Sequence, residues 1–369
     1  MRERTLAELT TQKNQKASAN ALIVANHVFL IVFALIAAFM MERPCIMEKK
    51  NRLLPSIGLD LMGSDEDSNV VLTSLLPILK SLEHSAHFTL FGEEKNIELF
   101  RSIPFISYQI ASELISMDEK PLWAARRKKK SSMHLGIQAL KNKEIQAFIS
   151  MGSTGALMAT ARLYLKTLPS ITRPALLTFL PTKNKEMVLL DVGASSISKG
   201  SHLVEFAAMG IAYQKTRGIK NPTVGLLNIG TEAIKGPPEL QKAYQTLSKS
   251  YPFFYGNIEG RDAFEGLVNV LVTDGFTGNI FLKTSEGIAR FILDTLKEHN
   301  SLKALSNRLD YSEYPGALLC GVDGIVIKCH GTAKAPSFHH SLINAISLLE
   351  QNFLTTLKEE LSLFFSKES

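Results

Sequence analysis

The chain has 369 residues, room for one large domain or two ordinary ones. Its 41 Lys and Arg against 35 Asp and Glu leave a formal charge of +6, too mild an excess to single out nucleic acid and compatible with an acidic protein partner or an anionic membrane surface. The three cysteines, Cys45, Cys320 and Cys329, show no Cys-x-x-Cys pairing and no His-rich spacing, so they read as reduced core thiols of a cytosolic protein, with no metal site expected.

Residues 1–54 read as an N-terminal extension, polar to Asn20 and then apolar from Ala21 to Met41 except for Asn26 and His27. Three readings fit that run: a helix that spans a bilayer, the h-region of a signal sequence, or translated sequence upstream of a true start at Met47. Basic residues flank it on both sides (Arg2, Arg4, Lys13 and Lys16; then Arg43, Lys49, Lys50 and Arg52), so they assign no orientation.

Residues 55–369 read as one catalytic domain of alternating strands and helices. In chain order the pattern predicts strand 57–61, helix 69–82, strand 88–91, one long helix 122–141, strand 147–151 and helix 154–168. Strands 175–180 and 187–191 follow, then helix 202–217, strand 224–228, helix 239–248, strand 268–273, helix 285–299, strand 325–328 and helix 336–361. Near-continuous apolar strands alternating with helices argue for an α/β fold, a largely parallel sheet with helices on both faces.

In such sheets ligands bind beyond the carboxyl ends of the strands. Glycine-bearing polar loops fall after four predicted strands: Met62-Gly63-Ser64-Asp65, Gly152-Ser153-Thr154-Gly155, Asp191-Val192-Gly193-Ala194 and Asn228-Ile229-Gly230-Thr231. Each alone is an ordinary tight turn, but four at one end of a sheet favour a shared pocket. Gly152-Ser-Thr-Gly155 opens a helix, and its free N–H groups and hydroxyls suit a phosphate-like anion as well as plain N-capping. It is neither a Gly-Lys-Ser/Thr phosphate loop nor a Gly-x-Gly-x-x-Gly fingerprint.

Further on, Lys235-Gly-Pro-Pro238 projects a lysine from a stiff loop, fit to neutralise a phosphate or a developing oxyanion, or simply solvated. Gly256-Asn-Ile-Glu-Gly-Arg-Asp262 and Asp274-Gly-Phe-Thr-Gly-Asn279 read as two glycine-broken polar turns. Asp274 and Asn279 bracket the second; a carboxylate can orient a nucleophile and an amide can donate to an oxyanion, although an Asx-turn uses the same residues. Lys283, Lys328 and His330 are further cations near glycine turns, whereas Arg261 between Glu259 and Asp262 suits an ion pair. No Ser-His-Asp, Cys-His or Gly-x-Ser-x-Gly arrangement announces a covalent nucleophile, so direct attack by a bound anion is favoured.

From Ile57 to Ile346 the chain resembles the bacterial phosphate acyltransferases of the PlsX family. The likeness rests on Leu59-Asp-Leu-Met-Gly63, Arg126-Arg-Lys-Lys-Lys-Ser-Ser-Met133, Gly152-Ser-Thr-Gly-Ala-Leu-Met158, Arg173-Pro-Ala175 and Leu190-Asp-Val-Gly-Ala194. It continues through Val224-Gly-Leu-Leu-Asn-Ile-Gly230, Lys235-Gly236, the Gly256–Asp262 and Asp274–Asn279 runs, Lys283-Thr284 and Ile327-Lys-Cys-His-Gly331. Ser64, Ser153 and Ser195 stand where the family usually has glycine, asparagine and asparagine.

The resemblance implies a fold like that of the isocitrate and isopropylmalate dehydrogenases without their cofactor or metal. It also implies a homodimer, cytoplasmic and peripherally associated with a membrane surface. The implied reaction is attack of inorganic phosphate on the thioester of acyl-acyl carrier protein. Acyl phosphate then passes to a glycerol-3-phosphate acyltransferase for phospholipid synthesis. A phosphate acetyl- or butyryltransferase using acyl-coenzyme A is the alternative. Lys235, Asp274 and Asn279 fall on family positions thought to carry activity. Gly63, Gly152, Ser153, Thr154, Gly155, Asn228, Lys283 and His330 are the expected phosphate- and substrate-binding residues. Arg126, Arg127, Lys128 and Lys129 are expected to dock the acidic carrier protein, although a solvated helix face explains the same run. The family often has an amphipathic hairpin at 285–310; here Phe291, Ile292, Leu296, Leu302 and Leu305 suit an apolar tip or a dimer core.

Overall fold

The computed structural model describes residues 54–63, 68–183, 186–296, 316–329 and 335–366. Expectations for Ala21–Met41, Cys45, Met47, Ser64, Leu302, Leu305 and His330 lie outside the described residues.

The strands are β1 (Ser56–Asp60), β2 (His87–Gly92), β3 (Ile106–Ile110), β4 (Ala147–Ser150), β5 (Ala175–Pro181), β6 (Glu186–Leu190), β7 (Val224–Asn228), β8 (Phe254–Glu259), β9 (Val270–Val272), β10 (Ala317–Cys320) and β11 (Ile325–Lys328). The helices are α1 (Ser68–Ser81), α2 (Pro121–Arg127), α3 (Ser132–Lys141), α4 (Thr154–Tyr164), α5 (Gly200–Thr216), α6 (Pro238–Ser250), α7 (Gly275–Leu296), α8 (Ala335–Glu350) and α9 (Phe353–Ser366). The strands join in one sheet in the order β3-β2-β1-β4-β11-β10-β5-β6-β9-β7-β8.

Strand side chains alternate between the two faces, and here each face is a separate core. Ala147 and Ile149 of β4 enter one core while Phe148 enters the other. Val270 and Val272 of β9 part from Leu271 in the same way, as do Val188 and Leu190 of β6 from Leu189. Helices α1, α5, α6, α8 and α9 feed the first core through residues such as Leu79, Phe206, Leu247, Leu342 and Leu357. The second core is covered by α2, α3, α4 and α7 through Ala124, Ile137, Leu157 and Leu282. Each such fully buried large side chain contributes about 1.5–3 kcal/mol relative to exposure. Covering both faces is why the strands read as unbroken apolar runs.

The expected fold class holds, but the sheet changes sense in its middle. Pairings β11–β10, β10–β5 and β5–β6 are antiparallel, and the others are parallel. The carboxyl ends of β1 and β4 therefore lie at one end of the sheet and those of β6, β7 and β9 at the other. The four glycine loops do not share an end as their sequence positions suggest.

Three further corrections have local causes. The expected helix 122–141 is two helices, because the Ser131 hydroxyl donates to the Lys128 carbonyl at 2.8 Å and accepts from His134 N–H at 3.3 Å. Those local bonds end one helix and cap the next. The expected helix 336–361 also breaks, at Asn352, whose φ of 51° lies in the left-handed region that asparagine tolerates. Third, Gly256–Glu259 is strand rather than turn, since β8 runs on to Glu259 before turning. Beyond it Arg261 pairs with Glu259 and Asp262 at 3.3 and 3.5 Å, as the flanking acids imply.

Strands β3, β8 and β10 were not read from sequence. Among the described residues no helix is long and apolar enough to cross a membrane. Helix α7 is described only to Leu296, so the expected hairpin beyond it stays outside the described residues.

Candidate active site

Strands β1 and β4 end in register, Asp60 beside Ser150. The Asp60 carboxylate is buried; it accepts from the Ser150 hydroxyl at 2.7 Å and from Met62 N–H at 3.0 Å. Burial raises its pKa, opposed by these hydrogen bonds and by the charge of Lys328. Ser150 Oγ in turn accepts from Gly152 N–H at 3.1 Å, so the chain leaves β4 in one fixed turn. Gly63, at φ +79°, lies directly against that turn: a β-carbon there would stand 3.3 Å from the Gly152 Cα.

Ser153 then caps α4 through Ala156 N–H at 3.5 Å, and Thr154 and Gly155 open the helix. Their N–H groups belong to the first turn, which has no intrahelical acceptors and carries the positive end of the helix dipole. Gly152 and Ser153 thus spend their polar groups on the loop itself.

On the other side of the reversal, Asp274 is the cap of α7. Its Oδ1 accepts from Phe276 and Thr277 N–H at 3.0 Å each, and its Oδ2 accepts from the Thr277 hydroxyl at 2.7 Å. The predicted Asp274–Asn279 turn is therefore a helix start, and Asn279 lies inside the helix. The same helix packs on the loop after β6.

That loop is organised by Asp191, which is fully buried. Its Oδ1 accepts from the N–H groups of Leu176, Gly193 and Ala194 at 2.8–3.1 Å. Its Oδ2 accepts from Ser195 N–H and Oγ, both at 2.8 Å. Burial raises the Asp191 pKa, and the hydrogen bonds from Ala194, Leu176, Gly193 and the Ser195 hydroxyl oppose it. Gly193 lies beside Asn279, where an added β-carbon would be 3.7 Å from the amide carbon.

Between these two walls lies an open cleft of about 380 Å³ on the second-core face of the sheet. Thr154 and Gly155 of α4 line it together with Asn279, Lys283 and Glu286 of α7. Leu176 and Thr178 of β5, Lys328 of β11 and Met117 complete the lining. Lys283 pairs with Glu286 at 2.7 Å.

Four of the expected site residues thus meet in one cleft: Thr154, Gly155, Asn279 and Lys283. Gly63, Gly152 and Ser153 support its wall from behind. Asn228 holds its own loop, accepting from Ile229 N–H at 2.8 Å and donating to the Lys235 carbonyl at 3.1 Å. Lys235 is exposed on that loop and is not among the lining residues, nor is Asp274. Arg126, Arg127 and Lys129 are exposed, but Lys128 turns inward to Glu119 at 2.5 Å, which holds the Glu119 carboxyl below its usual range.

Asp60, Asp191 and Lys328 received no site role from the sequence. Their common signal is a charged residue closing an apolar strand, which needs the sheet order before it says anything. Among the described residues no three His, Cys, Asp or Glu side chains gather closely enough to hold a metal ion.

Residues 56–356 match the model of a family described as fatty acid synthesis protein. A phosphate acyltransferase of Chlamydia pneumoniae is 43% identical over 307 residues, spanning 80% of this chain and 95% of the relative. Another, of Thermoanaerobacter pseudethanolicus, is 40% identical over 322 residues, spanning 83% and 97%. Among solved structures, the EutD phosphotransacetylase of Staphylococcus aureus superposes with a TM-score of 0.54 at 16% identity, over 81% of this chain and 94% of that one. A branched-chain phosphotransacylase of Enterococcus faecalis gives a TM-score of 0.54 at 14% identity, over 80% and 100%. At such identities the likeness is one of fold.

Proposed function

The chain belongs to the fatty acid synthesis protein family of phosphate acyltransferases, and from that premise we propose that it moves the acyl group of acyl-acyl carrier protein onto inorganic phosphate for phospholipid synthesis. One observation carries the mechanism: a helix N-terminus and a side-chain amide line a single cleft. Phosphate is held at the Thr154 and Gly155 N–H groups, where the helix dipole favours an anion. A phosphate oxygen attacks the thioester carbon. Asn279 donates its amide N–H to the carbonyl oxygen as negative charge develops there, with Lys283 nearby. The C–S bond then breaks, the carrier leaves as thiolate and takes a proton from solvent, and acyl phosphate remains. Asp274 acts through the α7 cap, which orients Asn279. Lys235, on the outer loop, is assigned to the approaching donor rather than to the cleft.

An acidic carrier is supported by the surface beside the cleft. Leu122 and Trp123 on α2 are each about half exposed, as is Met117 at the rim, and Arg126, Arg127 and Lys129 flank them. An apolar centre with a basic border suits an acidic protein carrying an acyl chain. Changing Arg126, Arg127 and Lys129 together to glutamate should raise KM for acyl-acyl carrier protein about tenfold with kcat little changed, an effect that shrinks with added salt. An unchanged KM removes the docking assignment.

The reaction itself is tested by phosphate-dependent thiol release, with acyl phosphate trapped as a hydroxamate. Faster release from acyl-acyl carrier protein than from acyl-coenzyme A is expected. Release from the coenzyme A donor alone moves the protein to the acetyl- or butyryltransferase reading. No phosphate-dependent release from either donor refutes the reaction.

A further inference from the structure

Strand β11 ends at Lys328, in register with Ser150 of β4, so its side chain meets the loop that starts α4. The Lys328 ammonium donates to the carbonyl of Met151 at 3.3 Å and to that of Cys329. The buried Asp60 carboxylate is close enough that the lysine's charge counters the effect of burial on the acid. Met151 precedes Thr154 by three residues, and the turn between them is fixed by Ser150 and Asp60. One short, hydrogen-bonded stretch of backbone thus sets the ammonium relative to the first turn of α4.

Lys283, the other lysine of the cleft, differs in kind. Its side chain is 51% exposed and bridges to Glu286 on its own helix. A solvated lysine with a mobile stem loses side-chain freedom when it takes a ligand. A lysine already tethered to the wall avoids most of that loss.

We propose that Lys328 is the phosphate-binding cation of the cleft, holding the anion against the Thr154 and Gly155 N–H groups. This rests on the acyl-to-phosphate reading above, in which orthophosphate is the nucleophile. Lys328 neutralises the incoming dianion, while the tethers at Met151 and Cys329 keep the ammonium on the cleft lining. The phosphate oxygen that attacks is then the one turned toward Asn279.

Two measurements decide. Lys328→Met should raise KM for phosphate by about 10- to 100-fold, the worth of a charge-assisted hydrogen bond, with KM for the acyl donor within about threefold. Lys328→Arg, which keeps the charge, should recover part of the loss. A lysine that only ties β11 to the α4 loop would move both constants together and gain nothing from arginine, and either result overturns the proposal.

The second measurement needs no variant and no turnover. Inorganic phosphate should slow acetylation of Lys328 in the wild-type protein several-fold, read by peptide mass spectrometry, while Lys249 is unaffected. Absence of protection overturns the assignment. Protection without any acyl transfer would retain Lys328 as an anion site while refuting the reaction.

Discussion

Asn279→Ala is expected to lower kcat for acyl transfer by about 10²- to 10³-fold, the range for loss of one donor to a developing oxyanion. The residue sits in the second turn of α7, and its exposure means that truncation removes little packing. Unfolding free energy should therefore stay within about 0.5 kcal/mol of wild type. The KM for phosphate should change little, since the proposed anion site is formed by Thr154 and Gly155 of α4 rather than by Asn279. Asn279→Asp makes the stricter comparison: it preserves shape but places an acceptor, and negative charge, where the oxyanion forms. It should be at least as damaging as alanine. Activity within about threefold of wild type in the alanine variant would remove the amide from the chemistry.

How far the sequence discloses this site can be followed residue by residue. The apolar runs reveal the strands because both sheet faces are covered, and period-2 burial then assigns Phe148 and Ile149 to separate cores. The order of those strands is a tertiary property. Strand β10 lies antiparallel between β11 and β5, which therefore run the same way, and the antiparallel pairing of β5 with β6 is what turns the sheet's sense around. It puts the Thr154 loop and the β6 loop at opposite ends, with a cleft between them rather than a rim around them.

The start of α7 was hidden for a different reason. Gly275 and Gly278 look like helix breakers, so the helix reads as starting at Ser285. In the fold they are demanded by close approach: a β-carbon on Gly275 would stand 2.2 Å from the Ser195 carbonyl oxygen. Asp274 was legible as a polar residue before glycine, but its service as a cap could be seen only once the helix behind it was known. Lys328 was legible as a cation and illegible as part of the wall, because its partners Met151 and Asp60 come from two distant strands.

Gly278→Ala is expected to destabilise the protein by about 1–3 kcal/mol and to cut kcat by about 10²-fold, although alanine is the better helix former by about 1 kcal/mol. An alanine β-carbon would stand 1.9 Å from the Asp191 carbonyl oxygen and 2.9 Å from the Thr273 methyl. The first contact is with backbone that cannot rotate away, and Asp191 is itself held by five donors. The first turn of α7 must lift instead. Asn279, the next residue, would move with it by about 1 Å, enough to spoil a preorganised donor. Gly287 in the same helix supplies the control, because a β-carbon there meets nothing within 4 Å. Gly287→Ala should therefore gain about 0.5–1 kcal/mol with kcat unchanged. Urea unfolding together with steady-state rates tests both variants at once. If they shifted stability in the same direction, helix propensity would outweigh the contact with Asp191, and the placement of Asn279 would need another cause.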